Sequence, residues 1–365
     1  MSFRTTMNGF KPYMLMLFLQ FGFSGLYLIS IVCLKKGMSH YVLVVYRNAS
    51  AALAIAPFAL WFERKVRPMM TPSVFIKILA LALLEPVLDQ NLYYMGTSYT
   101  SAGFTAALVN ILPAITFLMA FILRIEKINM KNRRSQAKVI GTLVTVAGAV
   151  LMIMCKGPVL GLPWTKGSSH ISTQARAQDE SRWVMGTFML LGSCVCWSAF
   201  FILQANTLKS YPAELSLATL ICFMGMVESA AVALVMEKGL KPWSIGWDTR
   251  LFAAVYSGVV CSGVAYYIQG IVMKERGPVF VTAFQPLCMI IVAVLGSIIL
   301  AEEITVGRMV GAIIIAIGLY FTIWGKGKDH MVEARDMLPM AAENSGKSVA
   351  HKNANAVEIT IVKKP

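Results

Sequence analysis

Two stretches decide the fold class of this chain: TAALVNILPAITFLMAFIL at Thr105–Leu123 and VFVTAFQPLCMIIVAVLGSIIL at Val279–Leu300. Neither contains Lys, Arg, Asp or Glu, and each has about the 20 residues that an α-helix needs to cross a bilayer core. An amide residue precedes a proline in each stretch, at Asn110 and at Gln285. Two apolar runs with the same internal order predict membrane-spanning helices that belong to an internal repeat.

The composition of the whole chain also indicates that the protein lies in a lipid bilayer. Hydrophobic residues make up 57% of the 365 residues and charged residues 14%, whereas soluble domains usually carry about 25% charged residues. The sequence contains ten apolar runs suited to a membrane, at residues 12–33, 41–62, 73–96, 101–123, 138–154, 183–205, 213–236, 251–271, 278–300 and 305–325. We therefore predict an all-α integral membrane protein with ten transmembrane helices.

The ten runs fall into two halves of five that resemble each other in order. The matching features are Tyr93-Tyr94 and Tyr266-Tyr267, Asn110/Pro113 and Gln285/Pro286, Glu126 and Glu302, and the glycine pairs Gly141/Gly148 and Gly311/Gly318. Because five is an odd number, the second half must cross the membrane in the opposite sense to the first. The sequence thus predicts two inverted five-helix repeats.

The distribution of positive charge agrees with an inversion. The loop between the fourth and fifth runs is rich in basic residues, whereas its counterpart between the ninth and tenth runs holds Arg308 alone. The positive-inside rule then places both termini in the cytoplasm. The predicted boundaries are a first repeat at 1–154, a non-cytoplasmic loop at 155–182, a second repeat at 183–325 and a disordered cytoplasmic tail at 326–365.

Several functional classes are disfavoured. The net charge of +15 lies between apolar runs, which favours membrane orientation over nucleic-acid binding. The seven cysteines form no CxxC pair and the four histidines fall outside the apolar runs, so we expect no metal site and no cofactor. No Walker A motif and no Ser/His pair at membrane depth is present, so we expect neither direct ATP drive nor an enzyme.

The third run carries the most polar side chains. Glu85, Asp89 and Tyr93 follow at intervals of four and share one helix face, and Gln90 and Tyr94 lie beside it. A helix that faces lipid does not tolerate such side chains. The pattern indicates either the lining of a cavity or a polar seam against another helix.

Charged residues at membrane depth are candidates for ion pairing or proton coupling. Arg47 lies at a depth similar to that of Asp89, so it either pairs with that carboxylate or extends to the outer surface. Glu85, Asp89 and Glu228 are the candidates for proton coupling, because an intramembrane carboxylate can relay protons.

Amide side chains accompany helix-bending prolines. Asn110 and Gln285 precede Pro113 and Pro286, and these prolines, like Pro86, free a backbone carbonyl and bend the helix. Amides both donate and accept hydrogen bonds, which suits a ligand that has an ammonium and a carboxylate; interhelical hydrogen bonds are the alternative.

Further polar and aromatic residues extend this candidate set. Gln269 joins Gln20 and Gln204 in a second amide group, and Tyr267 offers an aromatic wall. Phosphorylated solutes require several basic residues at membrane depth, and Arg47 stands alone there, so a neutral or zwitterionic solute fits better.

Longer strings resemble a known family. LEPVLDQNLYYMGTSYTSAGFTAALVNILPAITFLMAFILRIEK at Leu84–Lys127, RGPVFVTAFQPL at Arg276–Leu287 and GLYFTIWGK at Gly318–Lys326 are similar to plant EamA-type transporters of the drug/metabolite transporter superfamily. More narrowly, they resemble the "walls are thin" related group, also called UMAMIT or nodulin-like proteins. The similarity covers about residues 10–328 and implies ten helices in two inverted EamA repeats.

The resemblance also implies a function. Members of the group transport amino acids, often as bidirectional facilitators, and some handle auxin at the vacuole. We therefore expect a facilitator of neutral amino acids at the plasma membrane, with the vacuolar membrane as second choice. An exporter of auxin-like anions and a non-transporting receptor or scaffold are the alternatives, and a homodimer is left open.

The expected site combines the residues described above. Gln90, Asn110 and Gln285 would hydrogen-bond the amino and carboxylate groups of the substrate, and Asp89 or Glu85 would pair with its ammonium. The expected aromatic walls are Tyr94 and Tyr267, and the expected place is between the repeats near the bilayer midplane.

Overall fold

A computed structural model describes residues 3–35, 39–100, 105, 108–125, 132–154, 180–239, 241–244, 246, 248–299 and 306–327. Helices dominate this part of the chain, which contains no strand. Nearly all of the predicted tail and most of the predicted loop at 155–182 lie outside the described residues.

The α-helices are numbered in chain order. They are α1 (Phe3–Lys35), α2 (His40–Phe62), α3 (Pro72–Ala82), α4 (Gln90–Tyr99), α5 (Leu112–Ile122), α6 (Arg133–Met154), α7 (Glu180–Ser210), α8 (Glu214–Met236), α9 (Thr249–Tyr256), α10 (Ala265–Arg276), α11 (Pro278–Ala283), α12 (Gln285–Ile299) and α13 (Val306–Gly327). Helix α6 starts ahead of the predicted run at 138–154, and α7 starts inside the predicted loop. Helical hydrogen bonds thus continue into polar residues at these ends, where apolarity no longer marks the helix.

Four helical stretches in the described part of the chain are long and apolar enough to cross a membrane. They are His40–Phe62, Arg182–Ser210, Glu214–Met236 and Thr249–Arg276. Shorter apolar helices occupy Leu112–Ile122, Pro278–Val292 and Met309–Thr322. Large hydrophobic side chains such as Trp61, Phe188 and Leu234 lie exposed on the outside, as lipid-facing residues do.

Two π-helical segments connect α-helices in the described part of the chain. The first π segment, Leu83–Asp89, joins α3 to α4, and the second π segment, Ser257–Val264, joins α9 to α10. Pro86 lies in the first and explains it, because proline lacks the N–H that an α-helix would bond to residue 82. The predicted bend at Pro86 therefore takes the form of a wider helical turn.

The second π segment contains no proline but packs very closely on α2. A Cβ added to Gly258 would collide with Ser50 Oγ and with the backbone oxygen of Arg47. Real Cβ atoms do not approach other atoms so closely, so this crossing requires glycine.

Two further helices are interrupted at the amide–proline positions. Residues Asn110 and Ile111 form a turn before α5, and Phe284 forms one between α11 and α12. Pro113 and Pro286 each follow the break directly, within the first residues of the next helix. The predicted prolines therefore mark positions where the helix is interrupted.

Helices α2 and α8 run antiparallel and are joined by a glutamate at each end. Glu63, after α2, accepts hydrogen bonds from the backbone N–H groups of Leu215 and Ser216 at 2.9 and 2.6 Å. Glu237, after α8, accepts a hydrogen bond from Ser39. These contacts lie at opposite ends of the helix pair.

Helices α6 and α13 also pack against each other through glycine. A Cβ on Gly141 would lie 2.7 Å from the backbone oxygen of Gly318, and a Cβ on Gly318 would lie 2.8 Å from that of Gly141. The contact is reciprocal, since Thr145 packs on Gly318 and Thr322 packs on Gly141. Small residues thus allow the two backbones to approach.

Candidate functional site

A cavity of about 150 Å³ opens among helices from both halves of the chain. It exceeds the volume of a single water many times and has room for a small organic molecule. Eight of the predicted polar and charged site residues line it: Arg47, Glu85, Asp89, Gln90, Tyr94, Asn110, Gln269 and Gln285. The third run therefore lines a cavity, and Glu85 and Asp89 also make polar contacts with other helices, so both interpretations describe part of it.

Two of the predicted residues do not line this cavity. Glu228 lies on α8 away from it, and Tyr266 takes the place that we expected for Tyr267. Neighbouring residues on a helix point in directions about 100° apart, and at this position the structure directs Tyr266 and not Tyr267 toward the cavity. The second π segment ends one residue before Ala265 and changes the phase of the helix there.

The carboxylate of Glu85 is surrounded by donors. The side-chain nitrogen of Gln90 lies 3.2 Å from each carboxylate oxygen, and the hydroxyl of Tyr266 donates to Oε2. The guanidinium Nη2 of Arg47 lies 3.8 Å from Oε1. Since a buried carboxylate needs such partners, Glu85 is satisfied by the protein itself.

Arg47 pairs with Glu85 and not with Asp89, which corrects the predicted ion pair. The side chain of Arg47 is buried, so it does not extend to the surface either. Its Nε donates to Ser262 Oγ at 2.7 Å, and its Nη2 donates to the backbone oxygen of Cys261 at 3.4 Å. The close approach of the second π segment supplies these partners and thereby connects Arg47 to both π segments.

Asp89 is surrounded differently, although it lies only one turn from Glu85. Within the described part of the chain, the one hydrogen bond to its carboxylate comes from Ser193 on α7. Both Asp89 and Ser193 are buried. Asp89 therefore retains capacity to accept hydrogen bonds from a molecule in the cavity.

Two residues that line the cavity have an amide oxygen with no partner among the described residues. The two atoms are Oε1 of Gln90 and Oε1 of Gln269, and both are buried. The amide nitrogen of Gln90 faces Glu85, which directs its oxygen elsewhere. Unpaired buried acceptors are costly, so a ligand with several donors would stabilise the site when these side chains turn toward it.

Aromatic rings form part of the wall. Tyr93 and Tyr94 meet edge to face with centroids 5.5 Å apart, and the ring of Tyr266 lies 5.3 Å from that of Phe200. Tyr93, Tyr94 and Tyr266 line the cavity, as does Trp197. Such walls favour a ligand with an apolar or aliphatic part.

Some residues at the site carry little signal in the sequence. Ser193 is a common serine within an apolar run, and only the fold brings it to Asp89. Ser262 carries one signal, because it lies four residues after Gly258 and small residues at that spacing indicate a close helix crossing. No group of three or more His, Cys, Asp or Glu residues in the described part of the chain is arranged to hold a metal ion.

Comparisons with known proteins bear on the whole chain. The family model described as "EamA-like transporter family" matches residues 11–154 and again residues 184–324. A WAT1-related protein of Arabidopsis thaliana is 54% identical over 338 residues, which cover 91% of this chain and 87% of that protein. A second WAT1-related protein of the same plant is 55% identical over 336 residues, which cover 89% and 86% of the two chains.

A solved crystal structure of another protein shares the fold. Its TM-score is 0.63 at 14% sequence identity, and the match covers 87% of this chain and 97% of the other. At this identity the match supports the fold alone.

Proposed function

The chain belongs to the EamA-like transporter family, among its plant WAT1-related members, and from that membership we propose that it carries neutral amino acids as a bidirectional facilitator. The family confirms the resemblance inferred from the sequence and makes the protein a multi-pass membrane transporter. The substrate class and the mode of transport are our proposal.

The observation that carries the proposal is the surplus of unpaired acceptors on residues that line the cavity. Asp89 and the amide oxygens of Gln90 and Gln269 can accept three hydrogen bonds, and an α-ammonium group has three N–H donors. Asn110 and Gln285 line the same cavity, and the amide group of Gln285 can donate to a carboxylate. A zwitterion with a modest side chain thus matches both the chemistry and the size of the site.

The alternative of an auxin-like anion is less well supported. An anion that enters this cavity needs a cation that is free to pair with it, and among the described residues the one cationic side chain in the lining already pairs with Glu85. A receptor or scaffold without flux is the alternative of another class, and a transport assay separates it. We place the protein at the plasma membrane, with the vacuolar membrane as second choice.

The architecture that we propose is ten transmembrane helices in two inverted repeats, 1–154 and 183–325. Three pairs of features support it: the π segments in the third and eighth predicted runs, the helix breaks before Pro113 and Pro286, and the glutamates that join α2 and α8. The two separate matches to one family model support it further. Alternating access would then move one repeat against the other around the cavity.

The test is efflux of radiolabelled glutamine from oocytes that express the chain. We expect faster efflux than from water-injected cells, and we expect Asp89→Asn to lower it about tenfold or more, because the ammonium loses its charged partner. Surface biotinylation should show equal amounts of wild type and variant.

The matched control is Glu275→Gln, which removes a carboxylate at an exposed position near the end of α10. Its efflux should equal that of wild type. Wild-type efflux no faster than in water-injected cells, with the protein at the surface, would reject amino-acid transport.

A further inference from the structure

We infer that Glu85 sets the charge selectivity of the cavity: it neutralises Arg47 and so prevents that guanidinium from attracting anionic solutes. The inference rests on the proposed transport of amino acids. It assigns Glu85 a role that differs from that of Asp89, although both carboxylates line one cavity.

The environment of Glu85 leaves it little capacity for a substrate. Arg47, Gln90 and Tyr266 all direct donors at its two oxygens, and the residue is 4% exposed. A carboxylate that has these partners is a fixed counter-ion and not an open binding group.

Arg47 is held in position from the other side. Ser262 Oγ and the backbone oxygen of Cys261 accept hydrogen bonds from its guanidinium, at 2.7 and 3.4 Å. These two partners belong to the second π segment, whose backbone packs directly on α2. Loss of the Glu85 charge would therefore leave the guanidinium at the cavity wall.

The balance of charge around the cavity then decides which solutes enter. Among the residues that line it, Arg47 carries one positive charge, and Glu85 and Asp89 can carry one negative charge each. This balance disfavours a solute with net negative charge, because like charges repel strongly where water is scarce. Replacement of Glu85 by glutamine leaves Arg47 uncompensated, and a guanidinium binds a carboxylate in two-point geometry.

The experiment compares two solutes of nearly equal shape, glutamine and glutamate. We would measure the ratio of glutamate efflux to glutamine efflux in oocytes for wild type and for Glu85→Gln. We expect the ratio to rise about tenfold or more in Glu85→Gln, because the cavity gains an unpaired guanidinium.

Three further variants separate charge from structural damage. Tyr266→Phe disturbs the same cluster without a change of charge and should leave the ratio as in wild type. The double variant Arg47→Gln/Glu85→Gln removes both charges and should return the ratio to the wild-type value. Glu85→Ser makes the same neutralisation with a smaller side chain, so it replaces Glu85→Gln if that protein fails to reach the surface.

The outcomes distinguish this inference from the proposed function. If wild type moves glutamine but neither Glu85→Gln nor Glu85→Ser raises the ratio, Glu85 does not set charge selectivity and amino-acid transport stands. An equal rise in Tyr266→Phe would also overturn the inference, since the charge is unchanged there. If wild type moves no glutamine, the proposed function itself fails.

Discussion

The two π segments have similar backbones, but the first carries acidic side chains and the second carries small, uncharged side chains. The first, Leu83–Asp89, contains a proline and two acidic residues, and both acidic side chains line the cavity. The second, Ser257–Val264, contains serine, glycine, valine and cysteine and no charge. Each widens a helix near the cavity, yet only the first supplies carboxylates.

The difference shows that the two π segments contribute in different ways to the position and the charge of Arg47. The small residues of the second π segment let α2 approach closely, and that approach places Arg47 between the two segments. The first segment then supplies the counter-ion. Similar backbones thus form the cavity, and their unlike side chains give it an unequal distribution of charge.

The largest expected effect comes from filling the close crossing. Gly258→Ala places a methyl group against the backbone oxygen of Arg47, well inside van der Waals contact, so the helices must separate. Overpacking of this kind costs about 1–3 kcal/mol or more, and we expect most of the protein to be lost from the membrane or to unfold at a lower temperature.

Fluorescence-detected size exclusion after heating measures this loss. The matched control is Gly239→Ala, because a Cβ at Gly239 meets no atom within 4 Å. Equal thermal stability of the two variants would show that the second π segment does not depend on its close approach to α2.

A smaller effect is expected at the two helix breaks. Each half of the chain supplies one amide there, so variants of the two amides compare the contributions of the halves to transport. Asn110→Ala and Gln285→Ala each remove an amide at the cavity, and we expect each to lower glutamine efflux about tenfold at unchanged surface abundance. If both amides bind the same substrate carboxylate, the double variant should lose less than the product of the single losses.

Normal efflux from both single variants would remove these amides from the site. An effect confined to one of them would mean that the two halves contribute unequally there as well. Thermal stability of the purified variants serves as the control for an effect on folding alone.

The smallest expected effect comes from the contact between Arg47 and the second π segment. Ser262→Ala removes one acceptor at 2.7 Å from the guanidinium, and we expect a cost of about 0.5–1.5 kcal/mol of stability, the usual net contribution of one hydrogen bond, because Arg47 keeps its contacts with Cys261 and Glu85. A small decrease in the unfolding temperature measures it.

The control for Ser262→Ala is the same substitution at an exposed serine. Ser98→Ala removes a hydroxyl that donates to the backbone oxygen of Met95 in its own helix, and it should not change the unfolding temperature. An equal decrease in both variants would mean that the hydrogen bond to Arg47 contributes nothing specific to the crossing.

Sequence periodicity predicts one polar face of the site, but it does not predict the other residues that form the site. The interval of four between Glu85, Asp89 and Tyr93 predicts a common polar face, and all three line the cavity. Glu85 and Asp89 lie in the first π segment and Tyr93 in α4, and the interval of four keeps them on one side because residues four apart stay on nearly the same face of either kind of helix.

Sequence periodicity does not predict which carboxylate pairs with Arg47, and it does not predict which of Tyr266 and Tyr267 lines the cavity. Both features depend on the second π segment. This segment shifts the phase of the helix, and it contains no proline from which it could be predicted. The local sign is Gly258 with Ser262, and small residues are common in membrane helices for many reasons. Contacts between distant segments determine the outcome in both cases.

We propose that the cavity passes neutral amino acids in either direction without an ion gradient. Glutamine exchange by the purified protein in sealed liposomes, with equal pH and salt on both sides, tests it most directly. We predict entry of labelled glutamine into liposomes loaded with unlabelled glutamine, at a rate that Asp89→Asn reduces about tenfold or more. No entry above that of protein-free liposomes, or entry that requires an imposed proton gradient, would show that the protein is not a facilitator of neutral amino acids.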